Sequence, residues 1–383
     1  MITKSVAEIN KYVGSSVNPM TTPDQIYELY SVPSFESGSP EIVSGADIGS
    51  TKVVVEDGDI LICKINPRIN RVWVVHHNTE YPLLASSEWI VVRNATMNSD
   101  YLKWYFSSPI FHTLLTSQVT GIGGSLTRAQ PKQVAKYPVP IPSRDEQDYV
   151  ANILTCIDNL IRKYQQCIIS IDQLVKSRFI ELFGDPKQNP KGYPVKEFDE
   201  ISVLITDGEH ATPRRTDKGI YLLSARNILN HALQLDDVDY IDEEEYTRIA
   251  RRVVPQAGDV LISCSGSIGR CCVVPEELRF QMVRSAALIR FDDTINPVFA
   301  EWLITSDELQ RQISMSATQS SQANLFQGKI RKLRGYVPPM ELQEQFAAFV
   351  EQTDKSKFYI VQMQILLRLL IRAIQQKTTE VLL

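Results

Sequence analysis

The chain has 383 residues, of which 43% are hydrophobic and 22% charged. This balance excludes a disordered or fibrous protein, and the length is enough for two or more domains with buried cores. The formal net charge of -5 at pH 7 excludes a uniformly basic surface. Any contact with nucleic acid therefore has to come from local clusters of Lys and Arg.

Motifs that carry catalysis or metal binding are missing from the sequence. It contains no phosphate-binding loop, dinucleotide-binding glycine motif, HExxH motif or nucleophile elbow. The six cysteines form no CxxC pair and have no metal-ligand spacing with the five histidines, so we interpret them as reduced thiols. The residues alone therefore predict no catalytic, cofactor or metal site. The residues of TDGEHATP (206–213) fit either a metal or acid-base cluster or a turn-forming loop with a hydrogen-bonded His, and we favour the loop.

The most apolar stretch, residues 359–374, is interrupted by Gln362, Gln364, Arg368 and Arg372. A membrane-spanning helix needs about 20 consecutive, mostly apolar residues. The N-terminal residues also lack the basic and then apolar pattern of a leader. We therefore expect a cytoplasmic protein without a membrane segment.

The sequence repeats itself along its length. GDILIC at 58–63 corresponds to GDVLIS at 258–263 at an offset of 200, Trp104 to Trp302 at an offset of 198, and Gln147 to Gln343 at an offset of 196. The matches keep their order over about a hundred residues, which indicates a tandem duplication of a unit of about 195 residues.

Each half has the same predicted elements in chain order: a strand, a loop, a second strand, a short helix with a core Trp, a proline-rich linker and a long helix. In the first half these are short strand-like runs within 53–63 that flank a Gly-Asp turn, the loop 64–70, the strand 71–75, the helix around Trp104 and the linker 136–143. In the second half they are the strand 251–263, the loop 264–269, the strand 270–274, the helix around Trp302 and the linker 336–340.

The two long helices carry the clearest periodic pattern. Apolar residues alternate at steps of three and four, as in a coiled-coil seam, at Leu154, Ile157, Ile161, Ile168 and Ile171 and at Ile360, Met363, Leu367, Leu370 and Ile374. We predict an antiparallel coiled coil within the chain, with pseudo-two-fold symmetry. The alternative is two amphipathic helices that each cover their own domain. A helix of about 33 residues would be roughly 50 Å long and would fix the distance between the domains.

Basic residues cluster just before both linkers, and the loop of the first half adds Arg and Asn side chains. These are the donors that read guanine and adenine edges in DNA. We predict DNA contacts from Lys64, Asn66, Arg68, Asn70, Arg71, Arg128 and Lys132 in the first half, and from His210, Arg214, Arg215, Ser265, Ser267, Arg270, Gln322, Asn324, Lys329 and Arg331 in the second. The alternative is that these side chains only solvate loops. The acidic run 236–246 would repel DNA, so we expect it to face water or a protein partner.

Five segments, GDILICKINPRINRVW, GDVLISCSGSIGR, TDGEHATP, LFGDPKQNPKGYP and PPMELQEQF, resemble the DNA specificity subunit of type I restriction-modification enzymes. The resemblance covers nearly the whole chain and depends on the order of its parts. It implies an α+β fold in which two similar α/β target-recognition domains, 1–143 and 185–340, are separated by two long helices, 144–184 and 341–383. The first half has no counterpart of TDGEHATP, so the role of that loop is not transferred between halves.

The resemblance also implies a function. The chain would read a bipartite, asymmetric target in double-stranded DNA and direct two methyltransferase subunits and the restriction and translocase subunits to it. Catalysis would belong to those partners. The main alternative is a coiled-coil scaffold whose two globular domains bind proteins, and a third possibility is an enzyme of unrecognised type.

Overall fold

The computed structural model describes residues 2–120, 127–317 and 324–380. The chain divides into two compact units, of which unit 1 comprises Met1–Gln166 with Ile360–Leu383 and unit 2 comprises Cys167–Tyr359. Each unit therefore contains one part of each long helix. The sequence predicted the helices 144–184 and 341–383 as segments separate from the two domains. In the structure, one part of each helix belongs to unit 1 and the other part to unit 2.

Unit 1 is a mixed unit of short strands and short helices. Its strands are β1 Ile2–Ser5, β2 Ser16–Val17, β3 Ile26–Tyr30, β4 Glu41–Ser44, β5 Lys52–Val54, β6 Ile60–Cys63, β7 Val72–Val74, β8 Leu83–Ser86, β9 Trp89–Val92, β10 Val119–Thr120, β11 Arg128–Ala129 and β12 Pro138–Ile141. Its helices are α1 Val6–Ile9, α2 Ser99–Phe106, α3 Pro109–Ser117, α4 Pro131–Val134 and the first part of α5 Arg144–Phe183. The sheets have the strand orders β2-β5-β8-β3-β4, β7-β6-β9, β1-β12 and β10-β11.

Unit 2 is built in the same manner. Its strands are β13 Val195–Glu197, β14 Ser202–Asp207, β15 Ile220–Leu223, β16 Ile228–Leu229, β17 Ala232–Leu233, β18 Asp239–Ile241, β19 Val260–Ser263, β20 Cys271–Val273, β21 Phe280–Met282, β22 Ala286–Phe291 and β23 Arg334–Tyr336. Its helices are α6 Glu243–Ala250, α7 Pro297–Ile304, α8 Asp307–Ala317, α9 Gln327–Ile330 and the first part of α10 Met340–Glu380. The sheets have the orders β14-β22-β19-β20, β18-β15-β21, β13-β23 and β16-β17.

The two units share part of their topology, although their sheets differ in strand number. In each, a central strand pairs antiparallel with two neighbours, β6 with β7 and β9, and β19 with β20 and β22. A parallel pair recurs as β3 with β8 and as β15 with β21, and the first strand pairs antiparallel with the last in both units. The duplication read from the sequence is therefore present in the fold.

The repeated Gly-Asp pair has a structural cause in both units. Gly58 and Gly258 have φ angles of +83° and +84°, a left-handed conformation that glycine adopts without steric cost. The Asp59 carboxylate is 1% exposed and accepts hydrogen bonds of 2.7 Å from Nε and Nη2 of Arg93. Asp259 accepts the equivalent pair from Arg290 at 2.7 and 2.8 Å. The Asp-Arg pair thus connects each Gly-Asp turn to a neighbouring strand of the sheet, at the end of β9 in unit 1 and in β22 in unit 2.

The long helices pair antiparallel in each unit. In unit 1, Gln364 of α10 donates to the carbonyl of Ile161 in α5 at 3.2 Å, and Gln375 and Thr378 line a small cavity with Leu154. In unit 2, Lys357 lies 2.7 Å from Asp172, and Phe346 packs against Phe179 and Phe183. The predicted antiparallel pairing is confirmed, and the alternative of two separate helices is wrong.

Helix α5 begins at the expected residue, 144, and ends one residue before the expected end, 184. It has 40 residues, which corresponds to roughly 60 Å. It starts directly after Ser143, because the hydroxyl of Ser143 accepts from Glu146 N at 3.3 Å while the Glu146 carboxylate accepts from Ser143 N at 2.9 Å. This reciprocal pair is a capping box that begins the helix ahead of the first seam residue.

The seam residues are partly placed as expected. Leu154 and Ile161 are buried, and Ile157, Ile168, Ile171, Ile360, Leu367 and Ile374 are partly buried. Met363 and Leu370 differ, because they are 40% and 45% exposed, and Gln364 and Ile371 face inward in their place. The steps of three and four are kept but in the opposite phase. The sequence pattern favoured Met363 because Gln364 is polar, but the Gln364 amide is tolerated since it is hydrogen bonded.

The cores combine strands, short helices and the ends of the long helices. In unit 2, Val175, Phe179 and Phe183 of α5 and Phe346 of α10 join the sheet core. Trp104 and Trp302 are buried, as expected.

Within the described residues, Met340–Thr378 of α10 is long and apolar enough to cross a membrane. One such helix is weak evidence of a membrane span, because the assignment depends on length and composition only.

Candidate nucleic-acid interface

The candidate site in each unit is the loop that follows the central strand, β6 in unit 1 and β19 in unit 2. We call residues 64–71, between β6 and β7, loop A, and residues 264–270, between β19 and β20, loop B. Loop A begins with a backbone hydrogen bond of 2.8 Å from Ala129 N to Lys64 O, and loop B with one of 2.8 Å from Leu325 N to Cys264 O. Both loops are thus tied to the segment that precedes the next short helix, α4 or α9.

A side chain from a helix later in the chain, α3 in unit 1 and α8 in unit 2, contacts each loop. His112 of α3 places its Nε2 2.9 Å from the carbonyl of Pro67 in loop A. Gln310 of α8, at the same position of the repeat, donates to the carbonyl of Gly269 in loop B at 2.9 Å. Each loop also turns through a left-handed residue, Asn66 with a φ of +46° and Gly266 with a φ of +68°. The two loops therefore have a common framework.

The predicted cations of unit 1 differ in how free their charges are. Arg68 and Lys132 are exposed and have no ion-pair partner among the described residues. Lys64 donates to the carbonyl of Ser87 at 2.5 Å. Arg71 is 13% exposed and pairs with Glu36 at 3.3 Å, and Arg128 pairs with Glu88 at 3.2 Å. Among these five predicted cations, only Arg68 and Lys132 are both exposed and without an ion-pair partner in the described structure, so they fit contacts to phosphate best.

The predicted cations of unit 2 divide in the same way. Arg270 of loop B and Lys329 of α9 are half-buried and lack an ion pair within the described part of the chain. Arg331 pairs with Asp199 and also donates to the carbonyl of Ile205 at 3.0 Å. Arg331 therefore also contacts the middle of β14.

The acidic run 236–246 is placed differently from what we expected. Its side chains do not simply face water or a partner, since Asp242 and Glu244 pair with Arg214 at 2.9 and 2.8 Å, and Asp239 pairs with Arg215 at 3.0 Å. Further pairs join the run to Arg226, Arg248 and Arg279. The run compensates the charge of Arg214 and Arg215, so these two predicted DNA contacts would have to leave their carboxylate partners.

His210 lies in the loop after β14 and is hydrogen bonded, as we favoured, but the structure shows no turn at this residue. Its Nε2 is 2.8 Å from Oδ2 of Asp207, and the other oxygen of Asp207 accepts from Arg252. No group of three or more His, Cys, Asp or Glu residues that could hold a metal ion occurs in the part of the chain that was searched. Asp207, His210 and Arg252 therefore form a hydrogen-bonded network of ionisable side chains.

The uncharged candidates have varied surroundings. Ser267 is exposed, and Ser265 and Asn324 are half-buried and bridge to each other as an isolated antiparallel pair. Asn66 donates its backbone N–H to Thr127 O at 2.8 Å. Asn70 donates its side-chain amide to Ser107 O at 3.0 Å, and its buried Oδ1 has no partner in the described structure. Gln322 lies outside the described residues.

The sequence reasoning missed Glu88. This carboxylate accepts from Nε and Nη2 of Arg128, both at 3.2 Å, and so fixes the plane of the guanidinium. The two residues are 40 positions apart, and no local pattern links them. Only the pairing of β6 with β9 brings Glu88 close to loop A.

Comparisons with known proteins agree with this architecture. No family model matches the chain. The chain has the fold of the S subunits of type I restriction-modification systems.

Two solved structures show this in particular. One chain comes from a study of complex assembly and conformational transition of a type I R-M system, with 16% identity, a TM-score of 0.61, and coverage of 98% of this chain and 96% of that one. The other is the S subunit of a type I restriction-modification system from M. genitalium, with 11% identity, a TM-score of 0.56, and coverage of 98% and 95%. The fold that the sequence resemblance implied is therefore confirmed.

Proposed function

We propose that the chain is the DNA specificity subunit of a type I restriction-modification system. It reads two unlike half-sites of an asymmetric target in double-stranded DNA, one with each unit, and it directs methyltransferase and restriction subunits to that target. The observation that carries this proposal is that loops A and B share one framework but present different side chains. A duplicated reader with two different surfaces fits a target of two different parts.

The surfaces of the long helices support protein partners. In unit 1, Leu366 and Leu369 of α10 are 58% and 54% exposed. In unit 2, Leu174 of α5 and Phe358 of α10 are also exposed. Contiguous exposed apolar residues on a helix are typical of a binding surface. One such surface in each unit fits two methyltransferase subunits, with restriction and translocase subunits joining the assembly.

Further features follow from this proposal. The chain itself would be non-catalytic and without cofactor or metal, because the chemistry would lie in its partners. It would be cytoplasmic, since its DNA target and its partners are there. Residues 1–143 and 185–340 would act as the two target-recognition domains, and the helices 144–184 and 341–383 would set the number of unread base pairs between the half-sites.

The exposed helix faces also favour a second candidate, a coiled-coil scaffold that binds proteins only. Binding of the purified chain, with its methyltransferase partner, to a pool of random DNA duplexes at several salt concentrations separates the two. A specificity subunit retains a sequence preference as salt rises and the phosphate contribution weakens. A scaffold shows no preferred sequence at any salt concentration, and that result would refute the proposed function.

A further inference from the structure

One position of the repeat carries different base-reading residue types in the two units. Ile65 of loop A forms an isolated antiparallel bridge with Arg128, and Ser265 of loop B forms one with Asn324. The next residue in each unit donates its backbone N–H to the first residue of the loop. Arg128 and Asn324 are therefore structurally equivalent, and each lies against the loop of its own unit.

The residue beside this position changes together with it. In unit 1, Lys64 N donates to Glu88 O at 3.0 Å, and in unit 2, Cys264 N donates to Ser285 O at 2.8 Å. Glu88 and Ser285 are thus equivalent as well. Unit 1 has an Arg with a carboxylate that orients it, and unit 2 has an Asn with a Ser whose hydroxyl instead accepts from Ala225 N at 3.1 Å.

The Arg128 pair is better suited to a base than to a phosphate. Glu88 binds Nε and Nη2 on one side of the guanidinium, which leaves Nη1 and the second hydrogen of Nη2 as two parallel donors at its end. Two parallel donors match the O6 and N7 acceptors of guanine. A phosphate gains little from the pair because the Glu88 charge cancels that of Arg128. The Arg128 side chain is 45% exposed, so these donors are accessible.

Asn324 offers the complementary chemistry. An Asn side chain has one donor and one acceptor, which match the N7 acceptor and N6 donor of adenine. Asn324 is half-buried, and its side-chain amide has no hydrogen-bond partner among the residues that the structure describes. A neutral amide needs no carboxylate to orient it, which agrees with Ser285 at the place of Glu88.

We propose that Arg128 and Asn324 are the equivalent base-reading residues of the two units, and that Arg128 selects a guanine in one half-site and Asn324 an adenine in the other. Glu88 is a positioning residue that orients Arg128. The inference rests on the proposed function and adds the identity of one base in each half-site.

The test is selection from a random duplex pool by the complex of the chain with its methyltransferase partner, followed by sequencing. Arg128→Gln is expected to reduce the preference for guanine at one position of one half-site by about 10- to 100-fold. Asn324→Ala is expected to do the same for adenine at one position of the other half-site. All remaining positions keep their preferences.

An exchange variant makes the test sharper. Arg128→Asn with Glu88→Ser gives unit 1 the residues of unit 2 and is expected to change the selected base from guanine to adenine. Glu88→Gln alone is expected to weaken the guanine preference without changing the selected base. Lys132→Ala is the matched control, because removal of an exposed lysine that contacts phosphate should lower affinity equally for all sequences.

The outcomes separate the inference from the proposed function. If the wild-type complex selects no sequence, the proposed function and the inference both fail. If the wild-type complex selects a two-part target and Arg128→Gln and Asn324→Ala variants with unchanged thermal unfolding select the same target, the inference alone is wrong. Equal weakening at every position would likewise assign both residues to the backbone and overturn it.

Discussion

Units 1 and 2 hold loops A and B with equivalent contacts, but the two loops carry different side chains. The Gly-Asp turn, the Asp-Arg pair and the side chain of α3 or α8 that holds the loop recur with closely similar distances. By contrast, loop A offers Arg68, whereas loop B offers small hydroxyl residues and Arg270. The contacts that fix the backbone recur in both copies, and the exposed side chains of the loops have diverged.

The charges around the two loops differ as well. In unit 2 the acidic run 236–246 binds several arginines of its own unit, including Arg214 and Arg215. Unit 1 has no equivalent run in its sequence, and Arg68 and Lys132 carry uncompensated charge among the described residues. Unit 2 should therefore depend less on phosphate attraction and more on close contacts between backbone, hydroxyl groups and bases.

The largest expected effect concerns the shared framework. Asp59→Ala in unit 1 and Asp259→Ala in unit 2 should each lower the free energy of unfolding by about 2 to 4 kcal/mol. Each change removes a buried carboxylate that accepts two hydrogen bonds from a partly buried arginine. Urea denaturation measures the change. The exposed Asp24→Ala and Asp293→Ala are the controls and should stay within about 0.5 kcal/mol of wild type. A loss below about 1 kcal/mol in either unit would show that the turns are not equivalent.

The second effect concerns the helix surface in unit 1. Leu366→Glu with Leu369→Glu should weaken binding of a methyltransferase subunit at least about 10-fold, since it places charge in an apolar interface. Calorimetry with the purified partner measures it. Val361→Glu places one negative charge on the same helix about 140° from Leu366 and about 80° from Leu369, and it should leave binding nearly unchanged. Equal effects of the two variants would argue against this docking face.

A smaller effect compares paired and unpaired arginines of unit 2. Arg270→Ala should reduce the slope of log affinity against log salt by about 1, because a free cation on phosphate releases about one counterion. Arg215→Ala should change the slope by less than half as much, since Asp239 already compensates its charge. DNA-binding titrations from low to moderate salt provide the slopes. A larger change for Arg215 would mean that its pair with Asp239 opens on DNA.

The smallest effect concerns thiol reactivity. Burial raises the pKa of Cys264, at the start of loop B, to about 12, and it also raises the pKa of Cys63 in β6. Because the thiolate is the reactive form, iodoacetamide at pH 8 should modify the exposed Cys156 and Cys167 well before these two. Mass spectrometry of the native and the urea-unfolded chain measures this order. Early modification of Cys264 would show that loop B opens in the free protein.

The sequence predicted the framework because its signals are local or repeated. The Gly-Asp turns, the linkers and the rhythm of the long helices all follow from spacing within a few residues. The helix phase was predicted less well, since Met363 looked apolar and Gln364 polar, whereas a single hydrogen bond to Ile161 places Gln364 inward.

The site was harder to predict because its charge pairs are distant in sequence. Arg71 is 35 positions from Glu36, Arg128 is 40 from Glu88, and Arg214 is 30 from Glu244. Counting basic residues could not show which of them are already compensated. The strand pairing decides this, because it determines which carboxylates lie beside each loop.

Sequencing of the methylated sites in the genome of a strain that carries this chain and its methyltransferase tests the central claim most directly. Two units with one framework and different loops predict two unlike half-sites separated by base pairs of any sequence. A continuous palindromic target, or two identical half-sites, would contradict the account.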